Sequence, residues 1–477
     1  MVLSFHHGRL ATRLSIVVSI MAATAARGDC PADLNGDLVV DGTDLGSILS
    51  AWGTPFGDLT GDGMTSGEDL SVIFGSWGPC PAPAPEWYLV STTNGSTTTA
   101  FDAATDEAVK TWTGAAGCAS IAYLQGDGSL VRPTVHTGGA YNGAARGGRI
   151  QIFNETGTIV NDLIVSTAEF QQHHDIQPMP NGNFLCIVWE GHTQAQAVAA
   201  GRTTIAGTMW SESILEIQPT GSSTYTIVWR WNLWDHLIQD ANASAANYGV
   251  VINHPELVDI NLGTVSSGDW IHMNAIDYDA TLDQIVVSSR SLNELWVIDH
   301  STTTAQAASH AGGARGHGGD LLYRWGNPAN YDRGTTANKV FYVVHSVTWI
   351  DAELPGAGNI MAFNNGDRAG TATDYSTVIE LVPPRDASGN YSIASGQAFG
   401  PASASWSYGS PGQFYGGPTQ CGAFRTLDNT TIVTLTNSGR IFEVDSTGAT
   451  LWNRDNAGTN IARVPRYRKI AGVWFGP

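Results

Sequence analysis

Charge is scarce in this chain. Only 14% of its 477 residues are charged, and basic side chains are the scarcer kind, 23 against 43 acidic ones. The formal net charge of -20 leaves no basic stripe to neutralise phosphates, which excludes a nucleic-acid partner. A small anionic substrate stays open, because a few focused Arg and His can reverse the field locally. Long apolar runs are missing too. The run Leu14 to Met21 falls far short of the roughly 20 residues a membrane-spanning helix needs, and no later segment reaches that length, so no transmembrane anchor is expected. Cysteine is sparse: there are five, none in CxxC spacing.

What is abundant is Gly, at 55, and Trp, at 16, a balance of turn-rich β structure rather than of helical bundles or disordered tails. The length exceeds one typical domain, so two or more folding units are expected. Arg9 and Arg13 precede the Leu14–Met21 run, and Ala23-Thr24-Ala25 offers a small-residue cleavage site. Residues 1–26 therefore read as a signal peptide, and the mature protein as secreted, periplasmic or on the cell surface. An oxidising compartment permits disulfides, and Cys30 and Cys80, which bracket one short module, are the best pair. Cys118, Cys186 and Cys421 read as packing residues or a further pair.

Residues 30–80 contain a duplication. Asp33 to Asp44 reads DLNGDLVVDGTD, and Asp58 to Asp69 reads DLTGDGMTSGED. Ca²⁺ takes six to eight oxygen ligands, and oxygen side chains at positions 1, 3, 5, 9 and 12 of a loop wrap one ion. Those positions hold Asp33, Asn35, Asp37, Asp41 and Asp44 in the first copy, and Asp58, Thr60, Asp62, Ser66 and Asp69 in the second. Val39 and Met64, at position 7, supply backbone carbonyls. Position 6 demands a sharp turn that favours Gly. Gly63 meets that demand and Leu38 does not, so loop one is expected to bind more weakly. Behind each loop runs an apolar stripe at helical spacing, Leu45, Ile48, Leu49, Trp52 and Leu70, Ile73, Phe74, Trp77. Two short helices packed face to face are expected, with calcium as a folding cofactor. The pair of loops resembles a type I dockerin, and that resemblance implies a cohesin-like or cell-surface partner. The Pro-rich stretch at 81–86 reads as a stiff linker.

Residues 87–477 repeat a different unit. A strand, a Gly or Asn turn and a second strand recur at 124–133, 179–188, 280–289, 354–363 and 426–435. A second pattern, an apolar strand followed by a polar turn and another strand, recurs at 100–112, 150–163, 214–231, 295–325, 378–384 and 441–452. Six units against five hairpins close if VPRYRKIAGVWF (464–475) completes the first unit. The expected fold is all-β, a six-bladed β-propeller sealed by its two chain ends, preceded by the small α-helical calcium-loop module.

Four stretches carry polar residues that a strand's outer face does not require: His173, His174 and Asp175; His272 and Asn274; Arg290 and Asn293; and His345. Each lies beside the start of a repeat, so the blades would bring them together in the central channel. A lone His beside a strand is ordinarily a hydrogen-bonded structural residue. Three His with an Arg and an Asn suit an anionic tetrahedral group instead, with Arg as a planar charged fork and neutral His as nucleophile or acid/base. A zinc site of three His competes with this reading, but the neighbouring Arg would repel a cation.

The motifs HHDIQPMPNGN, DWIHMNAIDYD with SSRSLNELWVID, LLYRWGNP and HSVTWIDAELPGAGNIMAFNNG resemble the bacterial arylsulfotransferase family, which uses aryl sulfate donors without a nucleotide sulfate. The resemblance implies ping-pong transfer to a phenolic or other hydroxyl acceptor through a sulfohistidine, with no cofactor for the chemistry. By motif His345 corresponds to the nucleophile and His272 to the acid/base, while Asn274, Arg290 and His174 hold the sulfuryl oxygens. The doublet leaves His173 and His174 interchangeable. Two other readings compete: a non-catalytic binding propeller tethered by the dockerin-like module, and a dockerin-bearing polysaccharide-active enzyme. The latter would need a converging carboxylate pair, for which Asp175, Asp277 and Asp279 are candidates.

Overall fold

The computed structural model describes residues 30–80, 84–144, 146–265, 268–368, 374–456 and 458–477. The expected signal peptide at 1–26 lies outside them. The chain divides into two compact units, Met1–Ala84 and Pro85–Pro477. Among the described residues no helix is long and apolar enough to cross a membrane.

In the first unit each acidic loop runs into a nine-residue helix, α1 (Gly42–Ser50) and α2 (Gly67–Gly75). Both start in capping boxes: Asp41 and Ser66 cap from outside, and Asp44 and Asp69 reach back to the capping residues' own N–H groups. Val39–Val40 pairs antiparallel with Gly78–Pro79, and Cys30 is bonded to Cys80. The small core is Ala32, Val40, Ile48 and Ile73. The expected face-to-face stripe is only half formed. Ile48 and Ile73 are buried, whereas Leu49, Trp52, Phe74 and Trp77 stay at least half exposed. The helices are too short for the pattern: Trp52 and Trp77 lie beyond their last turns.

The second unit is a six-bladed β-propeller. Blade two is Tyr123–Leu124, Leu130–Val135, Gly148–Phe153 and Ile159–Ile164; blade three is Phe170–Pro178, Phe184–His192, Met209–Pro219 and Tyr225–Asn232. Blade four is Met273–Asp279, Gln284–Ser289, Glu294–Asp299 and Tyr323–Trp325; blade five is Val344–Trp349, Ile360–Asn364, Thr377–Leu381 and Trp406–Tyr408. Blade six is Gly422–Arg425, Thr431–Leu435, Arg440–Val444 and Thr450–Asp455. Blade one joins Glu86–Ser91, Thr97–Asp102 and Ala108–Thr113 to Arg466–Ile470 and Val473–Phe475 from the other end of the chain. Arg466 lies opposite Tyr88 in that seam. The five sequence hairpins are the first turns of blades two to six, and their tips carry positive φ at Gly128, Gly182, Asp283, Gly358 and Asn429.

The core lies between the blades, where alternate residues of facing sheets interlock. Leu185 and Ile187 of blade three pack in one cluster with Ile285 and Val287 of blade four, and Val286 of blade four clusters with Val347 and Ile360 of blade five. Cys118, Cys186 and Cys421 are free and buried, which fits packing and not a further pair.

Candidate active site

The first strands of blades three, four and five share one irregularity. Their pairing shifts register between Gln172 and Ile176, between Met273 and Ile276, and between His345 and Thr348. Such shifts bend a strand and re-aim side chains. Here they coincide with left-handed backbone at non-glycine residues: His174 (φ 48), His272 (φ 56) and Ser346 (φ 51). Val343 (φ 65), Gln420 (φ 45) and Cys421 (φ 69) add to the cluster, and for a β-branched residue such as Val343 this conformation is costly. Strain held by surrounding structure is a habit of functional sites.

These distortions surround a cavity of about 1030 Å³. His174, His272, Arg290 and His345 line it, with Asp269, Asn293, Trp210, Arg146 and Gln420. The rings of His174 and His272 lie 4.6 Å apart. The doublet is thereby divided: His174 faces the cavity, while His173 is fully buried, stacks on Trp189 at 3.9 Å and bonds Glu212 Oε2 through Nε2 at 2.8 Å. The two doublet rings also meet, Nδ1 to Nδ1, at 2.8 Å.

His345 has a defined tautomer. The Gln420 backbone N–H can only donate, and it donates to His345 Nε2 at 3.2 Å. The proton therefore sits on Nδ1, which donates to Asn365 Oδ1 at 2.7 Å. Asn365 cannot be turned over, because its amide nitrogen donates to the carbonyls of Gly417 and Gln420 at 2.7 and 3.2 Å. Burial first, then the charge of Arg290, holds the His345 imidazole well below the usual histidine range. His174 is held down in the same direction by burial, then by His272 and His173. Both rings are neutral near pH 7. His272 Nδ1 lies 2.5 Å from Asp269 Oδ2, which leaves its Nε2 for proton exchange. Burial pushes the Asp269 carboxyl up, but the hydrogen bond and charge of His272 outweigh it, so Asp269 is held low as an anion.

Asn274 does not reach the cavity wall as the motif implied. Its amide nitrogen donates to the Val344 carbonyl at 2.9 Å, tying blade four to the strand that carries His345, and its oxygen accepts from Ser288 of blade four at 2.5 Å, so both polar ends are engaged. The carboxylates suggested for a hydrolase are engaged likewise. Asp175 accepts from Tyr123 at 2.9 Å and pairs with Arg463 at 2.7 Å, Asp277 accepts the Trp349 N–H at 2.7 Å, and Asp279 caps a turn at Thr281. Asp269, Asn365, Arg146 and Gln420 were not singled out from sequence. Asp269 stands three residues before His272 in the motif DWIHMNAIDYD, and Asn365 is the last but one residue of HSVTWIDAELPGAGNIMAFNNG. Nothing local marks Gln420.

The first unit poses a separate question of charge. Residues 30–80 hold eight carboxylates (Asp33, Asp37, Asp41, Asp44, Asp58, Asp62, Glu68, Asp69) and no Lys, Arg or His. Asp33 accepts the N–H groups of Gly36, Asp37 and Leu38, and Asp58 those of Gly61, Asp62 and Gly63. The two loops thus share one wrapped geometry. A dense set of oxygen donors with no protein cation fits a hard divalent ion.

Fold and site together define a propeller with a histidine- and arginine-lined channel suited to handling an anion. The family model described as Arylsulfotransferase (ASST) matches residues 139–415, more than half of the chain, and the chain belongs to that family. No curated protein matches it. Among solved structures it is similar to a protein of unknown function from Bacteroides caccae, at 11% identity over 80% of this chain and 98% of that one, with a TM-score of 0.42. The β-propeller domain of Cps50 (Swd1) from Myceliophteria thermophila matches at 9% identity over 81% and 92%, with a TM-score of 0.39. Apo AztD from Citrobacter koseri matches at 9% over 80% and 98%, with a TM-score of 0.36.

Proposed function

We propose that this protein is a secreted sulfotransferase that moves a sulfuryl group from an aryl sulfate to a phenolic or other hydroxyl acceptor through a sulfohistidine at His345. The observation that carries the reading is the tautomer of His345, with a neutral ring and an unprotonated Nε2 on the cavity wall beside Arg290.

In the first half-reaction the Nε2 lone pair attacks sulfur, the bond from sulfur to the aryl oxygen breaks, and the departing oxygen takes a proton from His272 Nε2. The ring of sulfo-His345 gains positive charge, which the Nδ1–H bond to Asn365 Oδ1 spreads and stabilises. As Nε2 forms its bond to sulfur, the Gln420 N–H loses its acceptor and becomes free to donate to a sulfuryl oxygen. Arg290 holds the other oxygens as a cationic clamp, as on phosphoryl groups, and His174 assists as a neutral hydrogen-bonding ring. In the second half-reaction the acceptor hydroxyl gives its proton to His272, its oxygen attacks sulfur, and the N–S bond breaks to restore neutral His345. Asn274 acts through Val344 by positioning the strand.

Residues 30–80 are proposed to bind two calcium ions, as a dockerin-like module with a cohesin-like or cell-surface partner. The side chains would be Asp33, Asn35, Asp37, Asp41 and Asp44 in one loop, and Asp58, Thr60, Asp62, Ser66 and Asp69 in the other. Calcium would neutralise the carboxylates there.

The test is transfer from p-nitrophenyl sulfate to phenol by the wild type and by His345→Ala, with the fold checked by circular dichroism. Loss of transfer in a folded variant, together with a mass increase of one sulfuryl group on the wild-type peptide holding His345, supports the reading. Wild-type transfer by His345→Ala overturns it.

A further inference from the structure

A second cluster of histidines lies outside the cavity wall and takes no part in the chemistry above. His236 follows the short helical turn Leu233–Asp235 at the end of blade three and is fully buried. Its Nε2 lies 2.8 Å from the carbonyl oxygen of Ala307, which can only accept, so Nε2 carries a proton. Its Nδ1 points at Asp320 Oδ1, 2.8 Å away. His310 Nδ1 reaches the same oxygen at 2.7 Å. In the neutral ring Nδ1 is a lone pair facing a carboxylate oxygen, which is repulsive unless a cation lies between them. No Lys or Arg pairs with Asp320 among the described residues.

The surroundings are built to hold these three groups. His310 and Asp320 are the two ends of a Gly-rich loop drawn tight by bonds from Gly318 N to the Gly312 carbonyl and from Gly319 N to the Ser309 carbonyl, both 2.9 Å. The Gly319 carbonyl accepts from Trp231 Nε1 at 2.7 Å. A Cβ at Gly319 would come within 2.0 Å of the Ala307 oxygen and 2.6 Å of His236 Nε2, so only glycine lets the loop close on the buried ring. His310 is the one solvent-facing member, its side chain 62% exposed, which provides an entry path and an open coordination position.

We propose that His236 Nδ1, His310 Nδ1 and an oxygen of Asp320 bind a divalent transition ion, zinc by preference. Two imidazoles with one carboxylate match zinc's ligand habits, and the bond from His236 Nε2–H to Ala307 is the outer contact that orients a metal-bound histidine. On binding, any proton held between His236 Nδ1 and Asp320 is released to solvent and replaced by the metal. The ion clips the loop to blade three. It is structural, since none of its ligands lines the active-site cavity.

The test uses the untagged full chain, stripped with chelator and returned to excess calcium so that the acidic loops are satisfied, then titrated with zinc chloride. Wild type should retain one more zinc per chain after gel filtration than His310→Ala, which removes an exposed side chain and leaves the fold intact. The dissociation constant at that site should rise at least about tenfold, the least that loss of even an outer contact of a metal ligand costs. Zinc should also raise the melting temperature of wild type more than that of the variant. The cavity histidines are unchanged in His310→Ala, so zinc taken up there cancels in the comparison. Equal zinc content in the two proteins, or a smaller change in affinity, overturns the assignment.

Discussion

The Nδ1–H of His345 donates to Asn365 Oδ1 at 2.7 Å, and the amide nitrogen of that same Asn365 holds the carbonyls of Gly417 and Gln420. One buried side chain therefore sets both the protonation pattern of the proposed nucleophile and the position of the backbone amide that faces its reactive nitrogen. Asn365→Ala should lower kcat by about 100-fold while changing KM far less, because the loss falls on the developing positive ring rather than on substrate binding. A steady-state comparison checks it. A variant whose KM rises while kcat holds would show that Asn365 serves binding instead.

The acid limb of the pH profile should lie low. Burial, Arg290 and His272 all disfavour a charged His345, so its ring stays neutral as pH falls through the ordinary histidine value of 6.5. The kcat/KM for p-nitrophenyl sulfate should hold at pH 6.5 and fall only below it. Half-loss at or above 6.5 would contradict the environment described for His345.

Stability should depend on pH from both sides. His174 and His345 are held neutral in the fold, so the unfolded chain takes up protons first as pH drops below 6.5, and the fold loses stability in acid. His300 behaves oppositely. Burial disfavours its charge, but the hydrogen bonds that His300 donates to Asp283 at 2.6 Å and Glu216 at 3.1 Å overcome that and raise it to about 9. Its contribution is whole below 6.5 and is lost as pH rises through 9. Melting temperatures across pH 5 to 10 should pass through a maximum near neutrality, and His300→Gln should flatten the alkaline side alone.

Leu38 occupies the left-handed region, at φ 67, where its counterpart Gly63 sits at φ 94. A non-glycine residue there costs about 1–2 kcal/mol. Leu38→Gly should therefore tighten calcium at loop one several-fold and leave loop two unchanged. Calorimetric titration of the two sites reads this directly, and unchanged affinity at loop one would mean that its backbone is not what limits it.

Most of the propeller could be read from the chain because each blade repeats a hairpin whose tip requires Gly, Asn or Asp, and those residues show in sequence. The closing strands showed for the same reason, as the remainder of an incomplete sixth count. The histidines were legible through motifs, but the role of Asn274 was not: whether an amide points into a channel or back at Val344 depends on the shift between Met273 and Ile276, which leaves no mark in composition. The His173–His174 doublet fails in the same way, since neighbours on a regular strand face opposite sides and only the distorted backbone decides which ring meets the cavity. The helix stripes misled for a simpler reason. Helical spacing ran two residues past each helix end, so Trp52 and Trp77 matched the pattern without sharing the core.

The pairing of Arg466 with Tyr88 carries a consequence for how the molecule is made. Blade one lacks two of its strands until residues 466–475 have left the ribosome, so blades two to six can assemble in order while the ring stays open. Closure joins residues separated by almost the full length of the propeller, a contact that is slow to form and cannot be approached stepwise. Until then Glu86–Ser91 presents a bare strand edge, the kind of surface on which chains pair with one another. A chain cut short by a dozen residues would keep every group of the active site and still be prone to self-association.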